Sequence, residues 1–180
     1  MPEFREWPSI PRLNREMIVT EKIDGTNGCV IVSDEGVFAQ SRSRVLIEDD
    51  PFGFNSWVKQ NADILAEVLG LGYHYGEWWG QKIQRKYGLD HRRFSLFNVN
   101  RYSKLDLSSV ENLYTVPVLY TGLFSTEKVK ELIDELTKHG SYAAPGFMNP
   151  EGVVVYHTAA NMVFKATVKN DEKPKSLVNK

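Results

Sequence analysis

The sequence has one cysteine, Cys29, in 180 residues, which excludes an intrachain disulfide framework and fits a reducing compartment such as the cytoplasm. No apolar run approaches the roughly 20 residues needed to span a bilayer, so no membrane attachment is expected. The first residues, MPEFREWPSIPRL, lack the apolar stretch of a signal peptide. Charge of one sign is also missing: 22 Lys and Arg stand against 23 Asp and Glu, for a formal net charge of −1. A uniformly basic nucleic-acid coat is thereby excluded, and any polyanion must meet a local patch. There is no internal repeat and no low-complexity block. What remains is a chain with 42% hydrophobic and 25% charged residues, enough to build one folded domain.

Along the chain, Pro2, Pro8 and Pro11 deny helix to residues 1–16. MIVTEKI (17–23) reads as a strand, residues 25–28 as a tight turn, and CVIVS (29–33) as the returning strand. A further turn at 34–36 leads into VFAQSRSR, so the first third reads as a meander. Residues 56–70 have helical spacing, with Trp57, Ile64, Leu65, Val68 and Leu69 as the apolar set. YHYGEWW (73–79) and FSLFNV (94–99) read as strands. The clearest helix is 126–139: Val129, Leu132, Ile133 and Leu136 form its stripe, Ser125 its N-cap and Gly140 its stop. Residues 151–157 and 162–169 read as a closing strand pair, followed by a charged tail at 171–180. Strand runs with segregated helices indicate an α+β fold built on antiparallel sheets.

The chemistry concentrates first in Glu21-Lys22-Ile23-Asp24-Gly25-Thr26-Asn27, where a strand ends in a lysine and turns at a glycine. That places an amine at a sheet rim, within reach of a ligand. An amine is nucleophilic only when neutral, and nearby cations in a dry pocket favour that form. Lys165, Thr167 and Lys169 share one strand face by period-two counting and offer such cations. Residues 82–93, KIQRKYGLDHRR, set Lys82, Arg85, Lys86, Arg92 and Arg93 against Asp90 alone, with Tyr87 interleaved. A basic segment carrying an aromatic suits a phosphate backbone. The four histidines have no metal-ligand spacing, and one cysteine makes no zinc site.

EKIDGTN resembles motif I of the covalent nucleotidyltransferases, above all the ATP-dependent RNA ligases of phages and RNA-editing systems. YGEWWGQKIQRKYG (75–88), FSLFNV, EGVVVYH and FKATVK resemble, in order, motifs III, IIIa, IV and V of that family. The resemblance implies a nucleotidyltransferase fold over residues 1–170, with two packed antiparallel sheets and flanking helices, no OB-fold or other second domain, and the tail beyond. Lys22 would take AMP from ATP as a phosphoramidate, hand it to a 5′-phosphate RNA end and release it as a 3′-hydroxyl seals the break. Glu21 would help read the adenine edge and Asn27 would place the polynucleotide ends. Arg42, with Arg44 as the alternative, would contact phosphate or ribose. Glu77 would accept from ribose hydroxyls and Phe97 would stack on adenine. Glu151 would bind Mg²⁺ or Mn²⁺. The hydrophobic base clamp falls on Val154, although strand alternation favours Val153 and Val154 needs a bulge. Lys165 and Lys169 would neutralise phosphate. Two departures stand out: Asn98 replaces the acid that usually follows the motif IIIa phenylalanine, and motif V has Thr167 where a second base is usual. The expected partner is RNA, gripped by the basic segment or with a protein partner, in RNA repair. The competing readings are a DNA ligase or capping-type nucleotidyltransferase core, and a non-catalytic RNA- or nucleotide-binding module.

Overall fold

The computed structural model describes residues 1–172. Among the described residues, ten strands form two sheets. A four-stranded antiparallel sheet has the order β10-β9-β1-β8, from β1 (Glu16–Lys22), β8 (Val118–Leu123), β9 (Gly152–His157) and β10 (Met162–Thr167). A six-stranded sheet has the order β4-β3-β2-β5-β6-β7. Its strands are β2 (Thr26–Ser33), β3 (Gly36–Ser41), β4 (Val45–Leu46), β5 (Gly72–Gly80), β6 (Arg92–Leu96) and β7 (Leu113–Thr115). All its ladders are antiparallel except β6 with β7. The α+β fold with two sheets and flanking helices is as expected from sequence.

Each sheet buries one face against helices. In β1, Met17 and Val19 point with Val153 and Val155 toward α4 (Thr126–His139), which presents Leu132 and Leu136. Ser125 caps α4 by accepting from Lys128 N, and Gly140 ends it at φ 82°. The six-stranded sheet packs Val30, Val32, Trp78, Phe94 and Leu96 against Phe54, Trp57 and Leu65. Those last three lie on α1 (Phe54–Gln60) and α2 (Ala62–Leu69), which replace the single helix expected over 56–70. Asn61 separates them with φ −111° and ψ 16°, its side chain donating to Trp57 O. A third cluster, Ile23, Trp79, Tyr87, Val116 and Ala144, ties the two sheets together.

The local reading of residues 25–28 as a hairpin turn is corrected. β1 and β2 belong to different sheets, and Gly25 is the crossing point. A Cβ there would lie 2.4 Å from Trp78 O and 2.7 Å from Trp79 Cβ, so only glycine lets the chain pass β5 so closely. The strand expected over 94–99 stops at Leu96. Asn98 instead caps α3 (Val99–Tyr102), accepting from Arg101 N. Likewise β10 ends at Thr167, whose hydroxyl donates to Lys169 O and whose amide donates to Asp171. Asp171 is thus tied to the fold, while residues 173–180 of the expected tail lie outside the described residues. Residues 1–15 form no helix or strand, as the prolines require.

Candidate active site

Alternation along β1 sends Met17, Val19 and Glu21 to the helix side and Ile18, Thr20 and Lys22 to the other. The second set lines a cleft of about 600 Å³ between the two sheets. Lys22, the last residue of β1, pairs in register with Gly152, so Glu151 lies beside it. Lys22 Nζ donates to Glu151 Oε2 at 2.6 Å, and the two side chains are 22% and 8% exposed. The next residue, Gly152, lets β9 run close against β10. It has φ 155°, and a Cβ would sit 2.1 Å from Ala166 O. Its conformation also settles the alternation beyond it: Val154 lines the cleft and Val153 is buried against α4, without the bulge that the sequence suggested.

The facing wall comes from β2 and β5. Asn27 stands opposite Glu77 and donates to its Oε2 at 3.1 Å, while Gly25 N donates to Oε1 at 3.0 Å. Burial pushes the Glu77 carboxyl up to about 7. The Gly25 amide and Lys22 oppose that rise, and Glu151 and Asp24 add to it. Phe97 and Val154 both line the space, with Tyr156, Asn98, Asn100 and Asn161 at the cleft's other reaches. Those four, with Ile18 and Thr20, are lining residues missed in the sequence. Stepping by two from Lys22 would have found Thr20 and Ile18, and Asn98 directly follows Phe97; nothing local marks Asn100 or Asn161.

Several expected site residues stand elsewhere. The Glu21 carboxylate turns away from Lys22. It accepts from Ser141 Oγ, Tyr142 N and Ala143 N, so its side chain anchors a loop, although Glu21 also lines the cleft. Burial raises its pKa and those bonds oppose the rise. The charged partner of Lys22 is a carboxylate, not the cushion of cations expected. Lys165 is exposed opposite Val154, on the cleft face of β10, two strands from Lys22. Lys169 lies beyond the end of β10 and is exposed. Arg44 is engaged with Asp49, whereas Arg42 is exposed with no side-chain partner among the described residues.

The arginines of the basic segment also have partners within the fold. Arg85 donates to Asp24 Oδ2 at 2.9 Å and to Asn149 O at 3.2 Å, joining the chain next to Lys22 with the chain next to Glu151. Arg92 donates to Gln81 O, and Arg93 donates to Ala143 O and lies over Trp79 and Tyr114. Tyr87 is buried, its hydroxyl accepting from Asp24 N. Of the five cations Lys82 and Lys86 are exposed and the three arginines are half-buried. The net local charge was legible; that Arg85 meets Asp24 and Arg93 meets Ala143 O, 61 and 50 residues away, was not.

Among the described residues, no three His, Cys, Asp or Glu side chains converge as a metal site, and no helix is long and apolar enough to cross a membrane. In comparison with known proteins, the RNA ligase family matches residues 15–169. No curated protein matches in sequence. Among solved structures, the fold is similar to RNA ligases of Naegleria gruberi. A variant with ATP and Mn superposes with TM-score 0.64 at 20% identity, over 87% of this chain and 51% of that one. A variant with AMP and Mn gives 0.59 at 18% identity, over 86% and 50%. The chain thus spans about half the length of these proteins.

Proposed function

This chain belongs to the RNA ligase family, and we propose that it is an ATP-dependent RNA ligase working through a covalent adenylate on Lys22. The observation that carries the reading is the convergence of Lys22, Glu151 and Glu77 on one cleft between the sheets. The Lys22 nitrogen, relieved of its proton, attacks the α-phosphorus of ATP; the P–N bond forms as the bond to pyrophosphate breaks. A 5′-phosphate oxygen of RNA then attacks the same phosphorus and the amine leaves with a proton. Finally a 3′-hydroxyl attacks the activated 5′-phosphate and AMP departs. A lysine suits this sequence because a phosphoramidate is stable until its nitrogen is protonated.

The remaining residues position and neutralise. Glu77 has an oxygen pair suited to accept from a ribose diol, and Asn27 beside it helps position the RNA ends. Phe97 and Val154 bracket the adenine. Lys165, with Lys169 and Arg42 further out, meets phosphate oxygens. Glu151 supplies a hard carboxylate oxygen, and one carboxylate with nucleotide phosphates is the donor set magnesium or manganese takes. Such an ion neutralises charge on the phosphates. Solved relatives carrying ATP or AMP with Mn support this assignment. Exposed Lys82 and Lys86 remain candidates for backbone contact. A reducing, cytoplasmic setting accords with the single buried Cys29.

The test is label transfer from ATP and from GTP in the presence of a divalent cation, followed by sealing of 5′-phosphorylated RNA and DNA breaks. We expect ATP to label the protein, GTP not to, and RNA to be the joined substrate. Labelling by GTP would indicate a capping-type enzyme, preference for DNA a DNA ligase, and no labelling a binding module.

A further inference from the structure

The sheet face that walls the cleft continues beyond it. In the row next to Glu77 and Asn27, Tyr75 stands opposite Cys29, and Phe97 N donates to Tyr75 O at 3.0 Å. One row further, Tyr73 stands opposite Ile31, which stands opposite Phe38. Directly opposed residues share a face, and successive rows are about 7 Å apart. Phe38, Tyr73, Tyr75 and Phe97 therefore form one surface, 40%, 54%, 53% and 41% exposed. The Tyr73 and Tyr75 rings lie parallel, 6.3 Å apart with 16° between planes. The opposite face of the same strands is filled by Val30, His74 and Trp78, so these aromatics are not core residues left over.

Their surroundings suit a polyanion at the near side and repel one at the far side. Arg42 follows Ser41, which pairs with Gly28 beside the cleft, and its guanidinium is exposed. Arg101 reaches Tyr73 O at 2.9 Å from the flank. Beyond the Phe38 row the sheet ends at the turn holding Asp34 and Glu35. Exposed aromatics on a sheet, edged by arginine, are a surface on which unpaired bases stack.

We propose that Phe38, Tyr73 and Tyr75 form a stacking platform for two or three unpaired bases of the RNA strand whose end enters the cleft. This rests on the ligase reading. It replaces the basic segment, whose arginines are mostly turned inward, as the main grip on RNA. Continuity with the cleft selects RNA over a protein as occupant: Phe97 belongs to both surfaces.

The experiment uses the full chain, a 5′-phosphorylated single-stranded RNA of about 12 nucleotides, and two double variants. Tyr73→Ala with Tyr75→Ala is expected to weaken RNA binding about 10–100-fold. The slope of log affinity against log salt should stay unchanged, because no phosphate contact is removed. Tyr73→Phe with Tyr75→Phe keeps the rings and should bind within about twofold of the parent. Photocrosslinking of the unaltered protein to 4-thiouridine RNA should label Tyr73, Tyr75 or Phe38, and this readout is independent of variant folding. Binding of the alanine variant within about twofold of the parent, or crosslinks only elsewhere, would overturn the proposal. So would self-association lost on alanine substitution with RNA binding intact, which would make the face a protein interface. Adduct formation with ATP, run in parallel without RNA, reads the ligase assignment separately: an adduct with tyrosine-independent RNA binding sinks the platform alone, and tyrosine-dependent binding without an adduct sinks the ligase reading alone.

Discussion

Glu77 is held under a constraint that shows in pH dependence. Its carboxyl sits at about 7 in the folded chain against an ordinary 4.5. Between those values the folded state keeps a proton that the unfolded state has lost, so its contribution to stability is greatest below about 4.5 and disappears as pH rises to about 7. Glu77→Gln keeps an acceptor for Gly25 N and removes the buried charge. Its melting temperature relative to the parent should therefore rise between pH 5 and pH 8, by about 2–4 °C per kcal/mol relieved for a chain of this size. A difference constant across that range would contradict the burial argument. At the same scale, the contrast between Lys22 and Glu21 was half legible. The adjacent positions must face opposite ways, which alternation states at once. That the Glu21 carboxylate finds Ser141 and two amides 120 and more residues away could not be read locally.

At the scale of elements, β1 and α4 were readable because their patterns are strong: an apolar strand ending in charge, and a capped helix with one stripe. β7 and β8 were not, because β8 is half-exposed along its length and shows no clean alternation, with Pro117 just before it. The turn at 25–28 was misread since its glycine answers to Trp78 and Trp79 of another sheet and not to a hairpin. The β9–β10 pair makes a sharper test. Gly152→Ala would drive a Cβ to 2.1 Å from Ala166 O, forcing apart the strands that hold Glu151 and Lys165 in place. A loss of about 3 kcal/mol is expected by urea unfolding. Stability equal to the parent would show that the hairpin yields without strain.

At the scale of the molecule, the two sheets meet over the cleft, and the contacts that lock them are polar as well as apolar. Arg85 bridges Asp24 and Asn149, and so braces Lys22 and Glu151 from outside the cleft. Arg85→Ala should slow adenylate formation about tenfold or more and lower stability by about 2 kcal/mol. Arg85→Lys, keeping charge but not the two-ended reach, should recover little of the rate. Loss of RNA affinity with an unaltered first step would return Arg85 to the role first read from its charge.

The most direct test of the whole account is peptide mass mapping after incubating the chain with ATP and a divalent cation. A single AMP on the peptide containing Lys22, absent in Lys22→Ala and discharged by a 5′-phosphorylated RNA, is the expected result. AMP on a different residue, or an undiminished adduct in Lys22→Ala, would contradict it.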